Sequence, residues 1–157
     1  MLGMSLFTFI HVLLSLVGIA SGLIVAAGLV KSRHFGGWTL VFLVTTLATS
    51  LTGFGFHREH VLPSHAVGVI SLVLLALAIL ALYVFALARA WRRVYVVCAI
   101  VALYLNVFVL VVQAFQKVPA LHDLAPTQSE IPFVAAQALV LAAFAVLGVR
   151  AAMRFRN

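Results

Sequence analysis

Residues Ser5–Val30 read SLFTFIHVLLSLVGIASGLIVAAGLV, an apolar run that contains a single titratable side chain, His11. About 20 residues of helix cross the roughly 30 Å hydrocarbon core of a bilayer, so this run is long enough to span a membrane. It is too long and too evenly apolar for a strand of a membrane barrel. The run therefore predicts a transmembrane helix.

The rest of the chain repeats this pattern. Apolar residues make up 66% of the sequence and charged residues 8%, and the mean hydropathy is +1.26. A soluble domain of this length needs far more polar surface. We therefore predict an all-α integral membrane protein with one transmembrane domain, residues 1–157. Its five helices form one bundle and cover about residues 5–30, 38–56, 65–90, 94–115 and 132–149.

Lysine and arginine divide unequally between the two sides of this bundle. If the loops alternate between the faces, eight of the ten basic residues share one face, and only Arg58 and Lys117 lie on the other. Basic residues concentrate in cytoplasmic loops, so we expect the N-terminus outside and the C-terminus in the cytoplasm. The net charge of +7 is dispersed between the helices, which indicates membrane topology rather than a nucleic-acid partner.

The same topology gathers histidine and acidic residues on the outer face. Imidazole is the commonest metal ligand and titrates near neutral pH, so the cluster indicates a metal or proton-handling site. The alternative is that these are solvated interface residues without a ligand. A transition metal (copper or zinc) or haem b is the cofactor we predict. The predicted metal-site residues are His57, Glu59, His60, His65, His122 and Asp123.

His11 lies inside the first predicted helix, roughly 9 Å below the outer boundary at 1.5 Å per residue. A titratable group at that depth costs a few kcal/mol unless it is neutral, paired or facing a wet cavity. Ser15, Gly18 and Gly22 share its side of the helix, and the two glycines form a GxxxG step that permits close helix approach. We expect His11 to point into the bundle.

The fourth predicted helix carries a polar stripe formed by Tyr95, Asn106, Gln113 and Lys117, which share one helical phase. We expect this stripe to face the protein interior, either as a packing contact or as the lining of a cavity. The loop at residues 116–130 is expected to cap an outer pocket. The residues predicted to bind a cofactor there are His11, His65, Asn106 and Gln113.

Two stretches resemble a known group of proteins. They are TSLTGFGF (49–56) running to PSHAVGVI (63–70), and LYLNVFVLVVQ (103–113) running to APTQSE (125–130). Both are similar to segments of small multi-pass membrane proteins of bacteria that have no assigned activity. The resemblance implies a multi-pass protein of the bacterial inner (cytoplasmic) membrane and no particular reaction.

Three functional hypotheses follow from these observations. The first is a small membrane protein with a histidine-rich metal or redox-cofactor site near the outer face. The second is an accessory or assembly subunit that packs against other membrane subunits or against copies of itself. The third is a small transporter or channel subunit that uses a polar path along the fourth helix. The sequence has no nucleophile triad, phosphate loop or nucleotide fold, and it leaves open whether the protein is an enzyme.

Overall fold

The structure is a computed structural model that describes residues 5–56 and 63–156. The predicted ligands His57, Glu59 and His60 lie outside the described residues. The helices are α1 (Leu6–Val30), α2 (Gly36–Gly53), α3 (Pro63–Ile79) with a π-helical continuation (Leu80–Val84), α4 (Trp91–Lys117), α5 (Pro119–His122) and α6 (Ile131–Arg154).

The predicted helical architecture is confirmed. The described residues contain no strand, and five helices are long and apolar enough to cross a membrane. Many of their large apolar side chains face outward; Leu139 and Met153 of α6, for example, are 73% and 75% exposed. Such a surface is compatible with a multi-pass membrane protein, because large apolar areas are rarely exposed to water.

Two predicted helix ends differ from the structure by five residues or more. The third helix was predicted to reach Ala90, but it ends at Val84, because Ala86, Leu87 and Arg89 take up positive φ angles of 48°, 59° and 49°. The sequence there has no glycine or proline to signal the break. The fifth was predicted to stop at about residue 149, where hydropathy falls. It continues to Arg154, because its backbone hydrogen bonds do not require apolar side chains.

Helix α4 is the centre of the bundle and packs against each of the other four long helices. Its core residues include Tyr95 and Leu103, which are 0% and 1% exposed, and they pack with Phe42 of α2 and Leu29 of α1. The predicted burial of the stripe on α4 is confirmed for Tyr95, which is fully buried. Burial decreases along the stripe towards Lys117, which is exposed.

The two termini lie at opposite ends of the bundle. The Ser32 hydroxyl donates to the Arg156 carbonyl (3.0 Å) and accepts from the Arg156 N–H (2.9 Å), so the α1–α2 turn and the C-terminus share one end. We call this the arginine-rich end and the opposite one the His11 end. The arginine-rich end carries Lys31, Arg33, Arg89, Arg92, Arg93, Arg150, Arg154 and Arg156.

Candidate functional site

His11 of α1 is hydrogen-bonded to α2 at the His11 end of the bundle. Its Nδ1 atom lies 2.8 Å from the hydroxyl oxygen of Thr52. That hydroxyl also donates to the Ala48 carbonyl, at 2.7 Å. A hydroxyl has one proton and the Ala48 carbonyl can only accept, so the arrangement that satisfies both contacts has a proton on Nδ1, which then donates to Thr52.

This proton arrangement selects one neutral tautomer of His11. With Nδ1 protonated, the lone pair is on Nε2, and Nε2 makes no hydrogen bond to a described residue. The imidazole is half-buried. His11 can therefore accept a hydrogen bond, take up a proton or bind a metal through Nε2.

Aromatic rings flank the imidazole. The His11 ring meets Phe56 edge-on, with centroids 5.1 Å apart at 83°, and Phe56 in turn lies 5.1 Å from Phe7. A Cβ at Gly55 would come within 2.7 Å of the Phe7 ring, so glycine is what allows this ring to approach the end of α2. We call Phe7, His11, Thr52 and Phe56 the His11 cluster.

A polar layer lies about two helical turns below the His11 cluster. A Cβ at Gly18 would meet the hydroxyls of Thr46 (3.1 Å) and Thr45 (3.2 Å) and the amide nitrogen of Asn106 (3.5 Å). The Asn106 amide donates to the Thr46 hydroxyl at 3.5 Å, a long hydrogen bond that joins α4 to α2. The interior position predicted for Asn106 is confirmed, and so is the role of Gly18 in close packing.

An apolar layer interrupts the polar groups beneath Asn106. A Cβ at Gly22 would lie 2.6 Å from Leu103 and 2.9 Å from the Phe42 ring, so these three residues fill the space between α1, α2 and α4. Phe42 and Leu103 are each 1% exposed. These residues form a tightly packed apolar layer below Asn106.

His65 lies on the other side of the end of α2. Its ring packs against Phe54, with centroids 5.7 Å apart, and Phe54 also covers Gly68 of α3. Phe54 follows Thr52 by two residues and points in roughly the opposite direction around the helix. His11 and His65 therefore contact different residues at this end of α2.

The remaining predicted site residues do not join the His11 cluster. Gln113 is half-buried on α4, and His122 and Asp123 are exposed at the end of α5. Across residues 5–56 and 63–156, no three His, Cys, Asp or Glu side chains are grouped so that they could hold a metal ion.

The loop after α5 packs on α4. Gln128 donates from its side chain to the Val112 carbonyl (2.9 Å), and Ala125 is fully buried. Glu130 accepts from the Thr127 hydroxyl (2.7 Å) and from the N–H groups of Thr127 and Ser129. The Thr127 hydroxyl is the main reason that the pKa of the Glu130 carboxyl lies below its usual range.

The partners of His11 were missed from the sequence. Thr52 was noted only as one of several hydroxyl residues that bond their own backbone, which it does, and Phe7 and Phe56 were not considered. A usable signal was present: Phe7 and His11, and also Thr52 and Phe56, are spaced four apart at two helix ends predicted to lie on the same side. The two side chains of each pair are therefore expected on the same side of the chain, and in the structure the two pairs contact each other.

Comparison of the sequence with protein-family models, with curated proteins and with solved structures found no match. Function is therefore inferred from the side-chain geometry.

Proposed function

We propose that this chain is a small multi-pass membrane protein that binds a lipid-soluble hydroxyl compound, of the phenol or hydroquinone type, at the His11 cluster. The observation that carries the proposal is the 2.8 Å contact between His11 Nδ1 and the Thr52 hydroxyl, which also contacts the Ala48 carbonyl. With the proton on Nδ1, the lone pair of Nε2 is left to accept from a ligand. A phenolic hydroxyl is a good donor to such a nitrogen. A hydroquinone would make the site one for a redox cofactor.

The surroundings of Nε2 favour an aromatic ligand. Phe7 and Phe56 provide rings on one side of the imidazole, and aromatic pairs in edge-on or offset geometry stabilise each other by about 0.5–1.5 kcal/mol beyond area burial. A single imidazole is enough to orient such a ligand.

The test is a binding titration of the purified protein in nanodiscs. A short-chain hydroquinone is compared with its dimethyl ether, which has the same ring but no hydroxyl proton. We expect the hydroquinone to bind about 3- to 10-fold more tightly, which corresponds to one net hydrogen bond. Equal affinities of the two compounds would contradict the proposal.

Two variants separate the site from the rest of the protein. His11→Phe keeps an aromatic ring and removes Nε2, so we expect it to abolish the preference for the hydroquinone. His122→Gln changes an exposed loop histidine and should retain that preference. If both variants behave like the wild type, the ligand does not bind at His11.

A transition metal bound to the same Nε2 atom is the second candidate. The observation in its favour is the Nδ1–Thr52 hydrogen bond, because metal-ligating histidines usually donate their other ring N–H to an oxygen. His57, Glu59 and His60 are the further ligands proposed. Elemental analysis and an absorption spectrum test it: bound copper, zinc or haem iron should be lost in His11→Phe. Because ligating imidazoles must be neutral, occupancy should also fall as the pH drops through about 6.

We also propose that the arginine-rich end faces the cytoplasm of a bacterial cell and that the His11 end faces outward. The support is the eight-to-two division of basic residues between the ends. Reporter fusions at the two termini should show the C-terminus inside and the N-terminus outside. The reverse arrangement would place the His11 cluster on the cytoplasmic side.

A further inference from the structure

The arginine-rich end has no charge partner within the described chain. It carries eight of the ten basic residues, whereas both described acidic residues, Asp123 and Glu130, lie at the opposite end. Seven of the eight basic residues are exposed, and Arg92 is half-buried. Like charges concentrated at one end of a small bundle repel each other unless anions accumulate there.

The turn before α4 fixes part of this charge in place. Leu87 is 6% exposed, and its N–H donates to the Ala81 carbonyl (2.9 Å), which holds the turn against the core. The Phe85 and Trp91 rings stack with centroids 4.0 Å apart at 3°. Trp91 is the first residue of α4, so this stacked pair positions the basic residues next to it at the end of the bundle. We call Arg89, Arg92 and Arg93 the arginine turn.

One guanidinium nitrogen of the arginine turn needs an acceptor. The Nε atom of Arg92 is buried and has no hydrogen-bond partner among the described residues. A buried charged donor without an acceptor is costly, and an anion beside the half-buried Arg92 guanidinium would offset part of that cost through its charge. The first turn of α4 adds the positive end of its helix dipole at the same place.

We propose that the arginine turn binds the phosphate groups of anionic phospholipids. The commitment to lipid rather than to free phosphate comes from the neighbouring surface, where Val84 and Tyr83 are 64% and 57% exposed. Acyl chains would cover these side chains while the headgroup phosphate meets the guanidinium groups. Tryptophan at this level is also typical of the membrane interface, and arginine near an anionic bilayer surface adds to affinity.

The experiment uses tryptophan fluorescence in bilayers. Trp38 is changed to Phe, so that Trp91 is the only tryptophan in the chain. The protein is reconstituted in phosphatidylcholine vesicles that contain brominated phosphatidylglycerol or, separately, brominated phosphatidylcholine, because bromine quenches a nearby indole. We expect stronger quenching by the anionic lipid, and the difference should shrink at high salt because screening weakens the attraction.

Charge variants identify the residues responsible. Changing all three arginines to Gln should reduce the preference for phosphatidylglycerol by roughly fivefold for each arginine removed. Changing all three to Lys should preserve most of the preference, and so should Lys117→Gln at the His11 end. Unchanged helicity by circular dichroism, and unchanged quenching by brominated phosphatidylcholine, show that each variant is folded and inserted.

Three results would overturn the proposal. The wild type could show no preference for the anionic lipid, or the Gln variant could keep the full preference. The third result is that inorganic phosphate, added to the vesicles at the same salt concentration, abolishes the preference for the anionic lipid. The arginine turn would then be a site for free phosphate instead of a lipid-binding surface.

Discussion

At each end of the bundle, a ring that carries a polar atom lies beside a threonine of α2. The ring is fully buried at one end and only half-buried at the other. At the arginine-rich end Tyr95 is 0% exposed, and its hydroxyl lies beside that of Thr39 without reaching standard hydrogen-bond geometry. Phe155 packs against the Tyr95 ring, with centroids 6.4 Å apart, and closes that end. At the other end His11 has a well-formed bond to Thr52, and its second ring nitrogen has no hydrogen-bond partner among residues 5–56 and 63–156.

The difference separates a structural position from a binding position. A buried ring stabilises the bundle through its packing, and its polar atom adds little because it lacks a good partner. A half-exposed ring with one satisfied and one open nitrogen contributes less to packing but offers a site for a ligand. Tyr95 should therefore matter for stability and His11 for binding.

The largest effect is expected at Tyr95. Tyr95→Ala removes a fully buried ring and leaves a cavity, so it should lower the free energy of unfolding by about 3–5 kcal/mol. Tyr95→Phe keeps the ring and removes only the poorly bonded hydroxyl, so it should change stability by less than about 1 kcal/mol. Unfolding in mixed micelles measures both. If the two variants lost equal stability, the hydroxyl rather than the ring would be the stabilising group.

The apolar layer between the two ends is expected to be next in sensitivity. Gly22→Ala puts a methyl group 2.6 Å from Leu103 and 2.9 Å from Phe42, and overpacking of this kind costs about 1–3 kcal/mol. Gly37→Ala is the matched control, because a Cβ there meets nothing within 4 Å and alanine favours helix. In the same unfolding assay, Gly22→Ala should have a clearly lower free energy of unfolding than Gly37→Ala. Equal stabilities would show that the layer is loosely packed.

A smaller effect on stability is expected at His11. His11→Phe removes one hydrogen bond and keeps the ring, so the loss should be about 0.5–1.5 kcal/mol. Thr52→Val removes the same bond from the other side, and the double variant should lose little more than either single one. A loss as large as that of Tyr95→Ala would make His11 a structural residue and remove the contrast between the two ends.

The smallest effect is expected at Glu130, in the loop outside the helices. Its folded-state pKa is depressed, mainly by the Thr127 hydroxyl, so its hydrogen bonds stabilise the loop above the ordinary pKa of about 4.3. That contribution should be lost as the pH falls through the lower, folded-state pKa. Amide exchange at Thr127 and Ser129 measures this directly. In Thr127→Val the transition should move to higher pH, and an unchanged midpoint would contradict the assignment of the cause.

The sequence was sufficient to predict the five long helices, because hydropathy and length alone identify the five long apolar runs. It was insufficient for the break at Ala86 and Leu87, because the positive φ angles there depend on how Leu87 packs into the core. It indicated that His11 points inward. It did not reveal that Thr52 bonds His11 or that Phe54 packs against His65, because such contacts depend on how the helices are rotated against each other.

Nitrogen NMR of His11 in bilayers tests the central claim most directly. The protein is labelled with ¹⁵N in its histidine rings, and the His11 signals are identified by their loss in His11→Phe. Under mildly alkaline conditions we predict a proton on Nδ1 and none on Nε2, and a change in the Nε2 signal when the hydroquinone, but not its dimethyl ether, is added. A proton on Nε2 with a bare Nδ1 would mean that Thr52 donates to His11 and that the proposed acceptor is not available, which would contradict the account.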